Sequence, residues 1–443
     1  MKRGFYTIMA AQFFSSLADN ALLIASIGLL IQLEGPVWMT PLLKFFFTVS
    51  YVVLAPFVGP FADAFPKGMV MLVTNGIKVL GCVMMLFYEN VAALGIPPDI
   101  AVMLAYGIVG LGAAAYSPAK YGILTELLPP EKLVAANGWI EGLTVGSIIV
   151  GTVVGGALLS APVSRVLLGF DLPIIDTHVD TPAEAAISVI VFFYAIAGVF
   201  NLFIPDTGAR YQKQETNPVR LLAQFSNAFS VLWHDKLGQI SLAVTTLFWG
   251  AGATMQFIVL RWAEKHLGLP LDKATMLQGV FAFGIALGAV TAARLVPLKK
   301  SLRILPVGVA MGLVVLMMNI AYYLPLVYGL IIVIGAMAGF FVVPMNALLQ
   351  HRGHVLLSAG HSIAVQNFNE NLCILAMLAL YAGMLSMQLA IGTIVILFGL
   401  FVAMSMLGVM FRHRANQRKY GDAEHMIGIE KGESQSHFVE NPR

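Results

Sequence analysis

Charged residues are scarce in this 443-residue chain. Asp, Glu, Lys and Arg together make up 11% of it, whereas 58% is hydrophobic. Soluble globular domains carry about 25% charged residues, so this composition excludes a water-soluble globule. The chain therefore reads as a polytopic membrane protein.

Cysteine is rare, and the motifs of enzymes are missing. The two cysteines, Cys82 and Cys373, lie in different apolar runs and imply neither a disulfide framework nor a metal site. No Gly-x-Ser-x-Gly motif, phosphate-binding loop or acidic cluster with metal spacing occurs, and the nine histidines are scattered. We expect no enzyme activity, no metal and no cofactor, and ATP-driven transport is excluded.

What the sequence does contain is a series of long apolar runs. A bilayer core of roughly 30 Å needs about 20 apolar residues per helix. The runs lack the period-two alternation of barrel strands and are rich in glycine, which is typical of packed membrane helices. They predict an all-α polytopic protein with twelve transmembrane helices, over residues 7–31, 42–62, 69–88, 100–123, 134–159, 187–204, 238–262, 273–295, 304–324, 326–349, 358–384 and 387–411.

A polar stretch at 205–236 separates six spans from six more. We predict an N-terminal bundle over 1–204, a cytoplasmic linker over 205–236, a C-terminal bundle over 237–411 and a disordered polar tail over 412–443. The excess of Lys and Arg at alternate loops and at both ends places both termini in the cytoplasm. The first span is too long for a removable signal peptide and is expected to stay as helix 1.

The linker contains a helix signal. Asn217 suits an N-cap and Pro218 the first helical position. The helix would lie at the cytoplasmic interface, and a short soluble connector without membrane contact is the alternative. Its apolar face would consist of Leu221, Phe225, Phe229 and Leu232.

A carboxylate, Asp19, interrupts the first span, with Asn20 beside it. A charge at that depth costs about 2.5 to 3.5 kcal/mol on insertion scales, so Asp19 should face the bundle interior. One interpretation is a substrate-binding group. The alternatives are a fixed ion pair with Lys78 or Lys120, or a protonated acid.

A second polar group is expected where spans 4 and 5 fold back on each other. This hairpin brings Lys120 level with Asn137, one turn from Glu141. A phosphate site needs at least a positive charge, which an ammonium supplies, and a directional hydrogen-bond donor, which an amide supplies. Lys120 is therefore predicted as a phosphate ligand. The alternative is that Lys120 snorkels to the cytoplasmic interface, as Lys78 could also do.

Short segments recur in the two halves of the chain. "AANGWIEG" aligns with "AVQNFNEN", which pairs Glu141 with Glu370, and "SPAKYGIL" aligns with "VPMNALLQ", which pairs Lys120 with Asn346. Two correspondences in the same order indicate two related six-helix bundles. Further polar side chains of the second half would line a central cavity or bond neighbouring helices as structural links; they are Asn346, Gln366, Asn367 and Glu370.

The loop "GPFADAFPKGMVML" resembles the signature between helices 2 and 3 of the major facilitator superfamily. Gly59, Asp63 and Lys67 fit that signature and are predicted to act in gating. Ala64 and Pro66 replace its usual arginine and glycine, so the charge relay is incomplete. A plain polar turn is the alternative.

The resemblance then becomes closer. "SSLADNALL", "GAAAYSPAKYGILTEL", "LFWGAGATMQF", "GFFVVPMNALLQHRG" and "IAVQNFNEN" are similar to segments of the bacterial lysophospholipid transporters. The resemblance implies a major facilitator fold and movement of lysophosphatidylethanolamine and lysophosphatidylglycerol from the outer to the inner leaflet of the inner membrane, by alternating access, for reacylation. Some relatives carry acyltransferase domains, which this chain would replace with a separate acyltransferase or acyl-ACP synthetase.

One position departs from the family pattern: Gln256 stands where relatives have an arginine, so it can donate to phosphate but brings no charge. The expected partners are the lysophospholipid and membrane lipids, with no nucleic acid, and the chain is expected to be a monomer. A proton-coupled multidrug or small-molecule exporter of the same superfamily is the alternative, with Asp19 or Glu370 as the proton carrier.

Overall fold

The computed structural model describes residues 3–34, 39–169, 179–209, 215–269, 271–420 and Ile427. The side chains of residues 3, 39–42, 141, 271–275 and 420 lie outside the described part as well. Within these ranges the regular elements are α-helices and two short 3-10 segments, Leu298–Ile304 and Met317–Ile320. The helices are α1 (Arg3–Gln32), α2 (Met39–Val53), α3 (Ala55–Ala64), α4 (Lys67–Leu86), α5 (Tyr88–Ala92), α6 (Pro98–Leu127), α7 (Pro130–Leu159), α8 (Ala161–Leu168), α9 (Pro182–Leu202), α10 (Pro218–His234), α11 (Gly238–Leu267), α12 (Leu271–Leu295), α13 (Leu305–Leu316), α14 (Leu324–Leu356), α15 (Ala359–Ser386) and α16 (Ile391–Tyr420).

Eleven segments of the described chain are long and apolar enough to cross a membrane, and α2 with α3 forms a twelfth that is bent by 66°. The sequence predicted this second span over 42–62, and the structure adds a bend that was not predicted. The break falls at Leu54, just before Pro56, which lacks an N–H and whose ring excludes the carbonyl of the preceding turn. The all-helical, multi-span architecture is as predicted.

The helix predicted in the linker is α10. The Asn217 side chain accepts from the Val219 N–H at 3.0 Å, as an N-cap does, and Pro218 occupies the first turn. The predicted apolar face packs on the protein: the Phe225 and Phe229 rings both lie edge-on to Phe368 of α15. The same face joins a cluster with α11, α14 and α15 that contains Leu232, Leu242, Leu349 and Val365.

A buried ion pair fixes the junction after α10. The guanidinium of Arg352 donates to both carboxylate oxygens of Asp235, at 2.7 and 3.2 Å. Asp235 also accepts from the N–H of Gly238 at 2.7 Å and so caps the start of α11. The Arg352 side chain is only 1% exposed, and α14 and the start of α11 are therefore joined by charge as well as by apolar packing.

The chain ends differently from the prediction, because α16 continues to Tyr420 rather than stopping at 411. Two contacts hold the extension: Arg412 donates to the Gln239 side chain at 2.8 Å, and Asn416 donates to the Lys236 carbonyl at 3.4 Å. Disorder is thus wrong for residues 412–420. The rest of the predicted tail, apart from Ile427, lies outside the described residues.

The chain forms two compact units, Met1–Ile123 with Gly146–Glu215, and Leu124–Val145 with Thr216–Arg443. In the first, α1 and α4 pack on α9 around a core that includes Leu22, Met85 and Tyr194. In the second, α12 packs on α14, α13 on α16 and α11 on α15. The expected division of the domains at 204 and 237 stays a prediction.

The pairing of α12 with α14 depends on small residues. Gly284 and Gly288 on α12 face Gly335 and Gly339 on α14, one helical turn apart on each helix. A Cβ at Gly288 would run into the backbone of Ala336, and one at Gly339 into the carbonyl of Ile285. The two backbones therefore touch, which only glycine permits.

Candidate functional site

The first unit contains a buried polar cluster built by α1, α4 and α9. Asp19 accepts from the Lys78 ammonium at 2.8 Å on one carboxylate oxygen and from the Tyr194 hydroxyl at 2.6 Å on the other. Lys78 also donates to the Ser15 hydroxyl at 3.0 Å, and Ser15 donates to the Asn75 amide oxygen at 2.8 Å. One carboxylate and one ammonium thus sit side by side within an otherwise apolar bundle.

The sequence places these groups on matching helix faces. Ser15 and Asp19 are four residues apart on α1, and Asn75 and Lys78 are three apart on α4, so each pair lies on one face. Of the alternatives left open for Asp19, the ion pair with Lys78 is the one that the structure forms. Tyr194 was not foreseen, because a single tyrosine in an apolar span carries no distinguishing pattern.

Lys78 is buried, so the alternative in which it snorkels to an interface is not the one that the structure forms. Its side chain is 1% exposed, whereas that of Asp19 is 20% exposed. A Cβ at Gly112 of α6 would lie 2.8 Å from the Lys78 side chain, so α6 closes over the lysine stem. The ammonium lies 4.9 Å from the Tyr116 ring centroid and 5.6 Å from that of Tyr194, where the aromatic faces attract a cation.

Lys120 lies one helical turn beyond Tyr116 on α6, about 6 Å along the axis. Its ammonium is 4.2 Å from the centroid of the Tyr121 ring, and the residue is half-buried. Asn20 turns back to its own helix, where its amide donates to the Ser16 carbonyl at 2.8 Å. The structure therefore brings Asp19 and Lys78 together, with Lys120 one turn from a ring that contacts Lys78.

The second unit contains another polar cluster, formed by α14 and α15. The Gln366 amide donates to the Glu370 carboxylate at 2.7 Å and to the Asn346 amide oxygen at 3.1 Å. All three residues are buried, as is Asn367, whose carbonyl accepts from Asn371. The duplicated positions Asn346, Gln366 and Glu370 thus meet within one unit, and whether they bind substrate stays a prediction.

Asn137 belongs to a different contact of the second unit. Its amide and that of Gln350 on α14 exchange two hydrogen bonds of 2.9 Å, and both residues are buried. Gln350 was missed by sequence reasoning, although it follows Asn346 by four residues and so shares its helix face. The side chain of Glu141, four residues after Asn137, lies outside the described residues.

Gln256 is exposed on α11, and its backbone carbonyl accepts from the Gln278 side chain at 3.0 Å. Asp63 and Lys67, the predicted gating pair, form a buried ion pair of 2.7 Å at the α3–α4 turn, and Lys67 also donates to the Ala62 carbonyl at 2.8 Å. Gly59 is buried one turn earlier in α3. In the ranges that the structure covers, no group of three or more His, Cys, Asp or Glu is placed to hold a metal ion.

A carboxylate and an ammonium kept together inside a bundle of membrane-spanning helices mark a functional site, as they do in membrane transporters. A family model described as Major Facilitator Superfamily matches residues 8–375. The lysophospholipid transporter LplT of Yersinia enterocolitica serotype O:8 / biotype 1B is 43% identical over 384 residues, which cover 86% of this chain and 87% of that protein. The LplT of Yersinia pestis strain Pestoides F shows the same identity and coverage.

Solved structures show the same fold at low identity. A bacterial homologue of the iron transporter ferroportin, in the outward-facing state, has a TM-score of 0.70 and 14% identity, and covers 94% of this chain and 100% of that one. The human organic anion transporter MFSD10 has a TM-score of 0.67 and 16% identity, and covers 93% and 100%. The chain belongs to the major facilitator superfamily and, within it, to the family of the lysophospholipid transporters named above. It is a multi-pass membrane protein.

Proposed function

We propose that the chain transports lysophospholipids across the membrane by alternating access. The observation that carries the substrate class is the 43% identity, over 86% of the chain, to transporters named for lysophospholipids. A lysophospholipid has one charged headgroup and one acyl chain, so its carrier needs polar groups set in an apolar wall. The Asp19–Lys78 cluster, enclosed by apolar helices, supports this requirement.

The cluster also suits the charges of one headgroup class. Phosphoethanolamine carries a phosphate and an ammonium, and Lys120 and Asp19 carry the complementary charges. In this proposal the ammonium of the substrate approaches Asp19, the more exposed partner of the ion pair, while the phosphate is bound by Lys120 and the buried Lys78 holds Asp19 in position. Lysophosphatidylglycerol has no ammonium and would use Lys120 alone.

The remaining roles are proposals of the same kind. Transport runs from the outer to the inner leaflet of a bacterial inner membrane, with both termini in the cytoplasm, and a separate acyltransferase or acyl-ACP synthetase reacylates the product. The protein itself acts as a monomer without enzymatic activity. The basic residues at the end of α16 support a cytoplasmic C-terminus.

Uptake by spheroplasts tests the proposal, with lysophosphatidylethanolamine and lysophosphatidylglycerol as substrates. Asp19→Asn should reduce uptake of the ethanolamine lipid more than that of the glycerol lipid, and Lys120→Ala should reduce both. Lys299→Ala, an exposed cation outside the cluster, is the matched control. Wild-type uptake no higher than that of cells without the protein would overturn the substrate class, and unchanged uptake in both variants at normal expression would overturn the site.

One observation favours the alternative, a proton-coupled exporter. Glu370 is buried in α15 and accepts from a neutral amide, a setting in which a carboxyl group can carry a proton. Collapse of the proton gradient distinguishes the two functions, because it should abolish transport by an exporter of this kind. The difference in transport between the wild type and Glu370→Gln should then disappear as well.

A further inference from the structure

The cytoplasmic-side extension of α16 is basic and contains no acid. From Ile391 to Tyr420 the helix has no Asp or Glu, and its last ten residues read "FRHRANQRKY". The uninterrupted apolar run of the helix ends at Phe411, and the basic residues form the end of the candidate membrane span, Ile391–Lys419. This is the depth at which lipid headgroups lie.

Helical spacing divides this segment into two faces. Arg412 and Asn416, four residues apart, face the start of α11, where they bond Gln239 and the Lys236 carbonyl. A neighbouring face lines a groove of about 420 Å³ with Phe411, Arg414, Ala415 and Arg418, and Lys419 borders the groove on the anchored side. The anchored face thus fixes the direction in which the groove points.

The groove is suited to one kind of ligand. Arg414 and Arg418 are one turn apart and exposed, and neither has a carboxylate partner among the residues for which the structure gives positions. Guanidinium groups bind phosphate through two parallel hydrogen bonds. Phe411, 63% exposed, stands at the membrane end of the same groove, beside the acyl region of a lipid.

We propose that this groove binds the phosphodiester headgroup of an anionic membrane phospholipid. The guanidinium groups of Arg414 and Arg418 favour an anion. The exposed apolar ring of Phe411 in the same groove favours a lipid over a soluble anion. The bound lipid holds α16 and, through Arg412 and Asn416, the start of α11 at the membrane surface. The site is distinct from the Asp19–Lys78 cluster and does not depend on the transported substrate.

Retention of phosphatidylglycerol by the purified full-length protein tests the proposal, measured by native mass spectrometry after exposure to mixed micelles of phosphatidylglycerol and phosphatidylcholine. Arg414→Gln with Arg418→Gln should weaken retention of phosphatidylglycerol by about 30-fold, since each cation near an anionic headgroup contributes roughly fivefold. Lys299→Gln with Lys300→Gln removes the same charge from another exposed segment and should leave retention unchanged. Equal losses in the two double variants would overturn the proposal, because general positive charge would then explain the binding.

Two further arms use the unaltered protein, so that a folding defect in a variant leaves the proposal testable. An excess of inorganic phosphate should leave phosphatidylglycerol in place, and displacement by phosphate would overturn the assignment to a lipid. Phosphatidylglycerol should be retained in preference to phosphatidylcholine, and the preference should fall as salt is raised, since exposed charges are screened. Equal retention of the two lipids at low salt would also overturn the proposal.

Discussion

Asn137 and Gln350 each donate to the other's side-chain oxygen, and both amides are enclosed by the protein. The pair joins the segment after α6 to α14 within one compact unit. A reciprocal amide pair satisfies both groups only while both are present. This dependence gives a measurable coupling between the two positions.

Asn137→Leu should lower the stability of the protein by about 1 to 3 kcal/mol, because the Gln350 amide is then buried without its partner. Asn137→Leu combined with Gln350→Leu should cost less than the sum of the two single changes, since apolar side chains of similar shape replace both amides. Thermal unfolding of the four proteins in detergent gives the comparison. Strictly additive effects would show that the two amides do not depend on each other.

Lys78→Met should destabilise the first unit by about 3 to 5 kcal/mol, because it leaves the Asp19 carboxylate in an apolar bundle without its cation. Adding Asp19→Asn should recover most of the loss, since a neutral amide needs no counter-charge. The midpoint of thermal unfolding measures both. If the double variant were no more stable than Lys78→Met alone, the charge pairing would not be the cause of the loss.

The ion pair of Asp235 with Arg352 offers a contrast between a buried and an exposed pair. Asp235→Ala should cost about 3 to 5 kcal/mol, because Arg352 is 1% exposed and α11 also loses its cap. Glu264→Ala removes the partner of Lys265, both more than half exposed, and should cost less than about 1 kcal/mol. Unfolding measured for both variants under one set of conditions checks the difference, and similar losses would contradict it.

Gly288→Ala should disrupt the pairing of α12 with α14, since its Cβ has no space beside Ala336. Gly279→Ala is the control on the same helix, because nothing lies within 4 Å of a Cβ there. Size-exclusion profiles of the two variants in detergent should show aggregation or loss only for Gly288→Ala. Equal, monodisperse profiles for the two variants would mean that α12 and α14 can move apart with little loss of stability.

The fold could be predicted from the sequence because the length of an apolar run is enough to identify a membrane helix. Asn217 and Pro218 likewise predicted the start of α10. The bend at Leu54 was not predicted, although Pro56 was visible. Proline in a membrane helix is often accommodated without a break, so its presence alone does not decide the outcome.

The candidate site was only partly readable. The inward orientation of Asp19 could be predicted because the free-energy cost of placing a carboxylate in lipid is a property of that side chain alone. The choice of Lys78 as its partner depends on how α4 packs against α1 and on the closeness of Gly112, which no single helix reveals. The partner of Asn137 was hidden for the same reason, since it comes from a segment more than two hundred residues away.

The glycine seam between α12 and α14 has a consequence for the path of a lipid tail. Where two backbones touch with no side chain between them, an alkyl chain has no passage. A single-chain lipid that enters or leaves the second unit sideways must therefore pass between other helices, because α12 and α14 leave no gap between them.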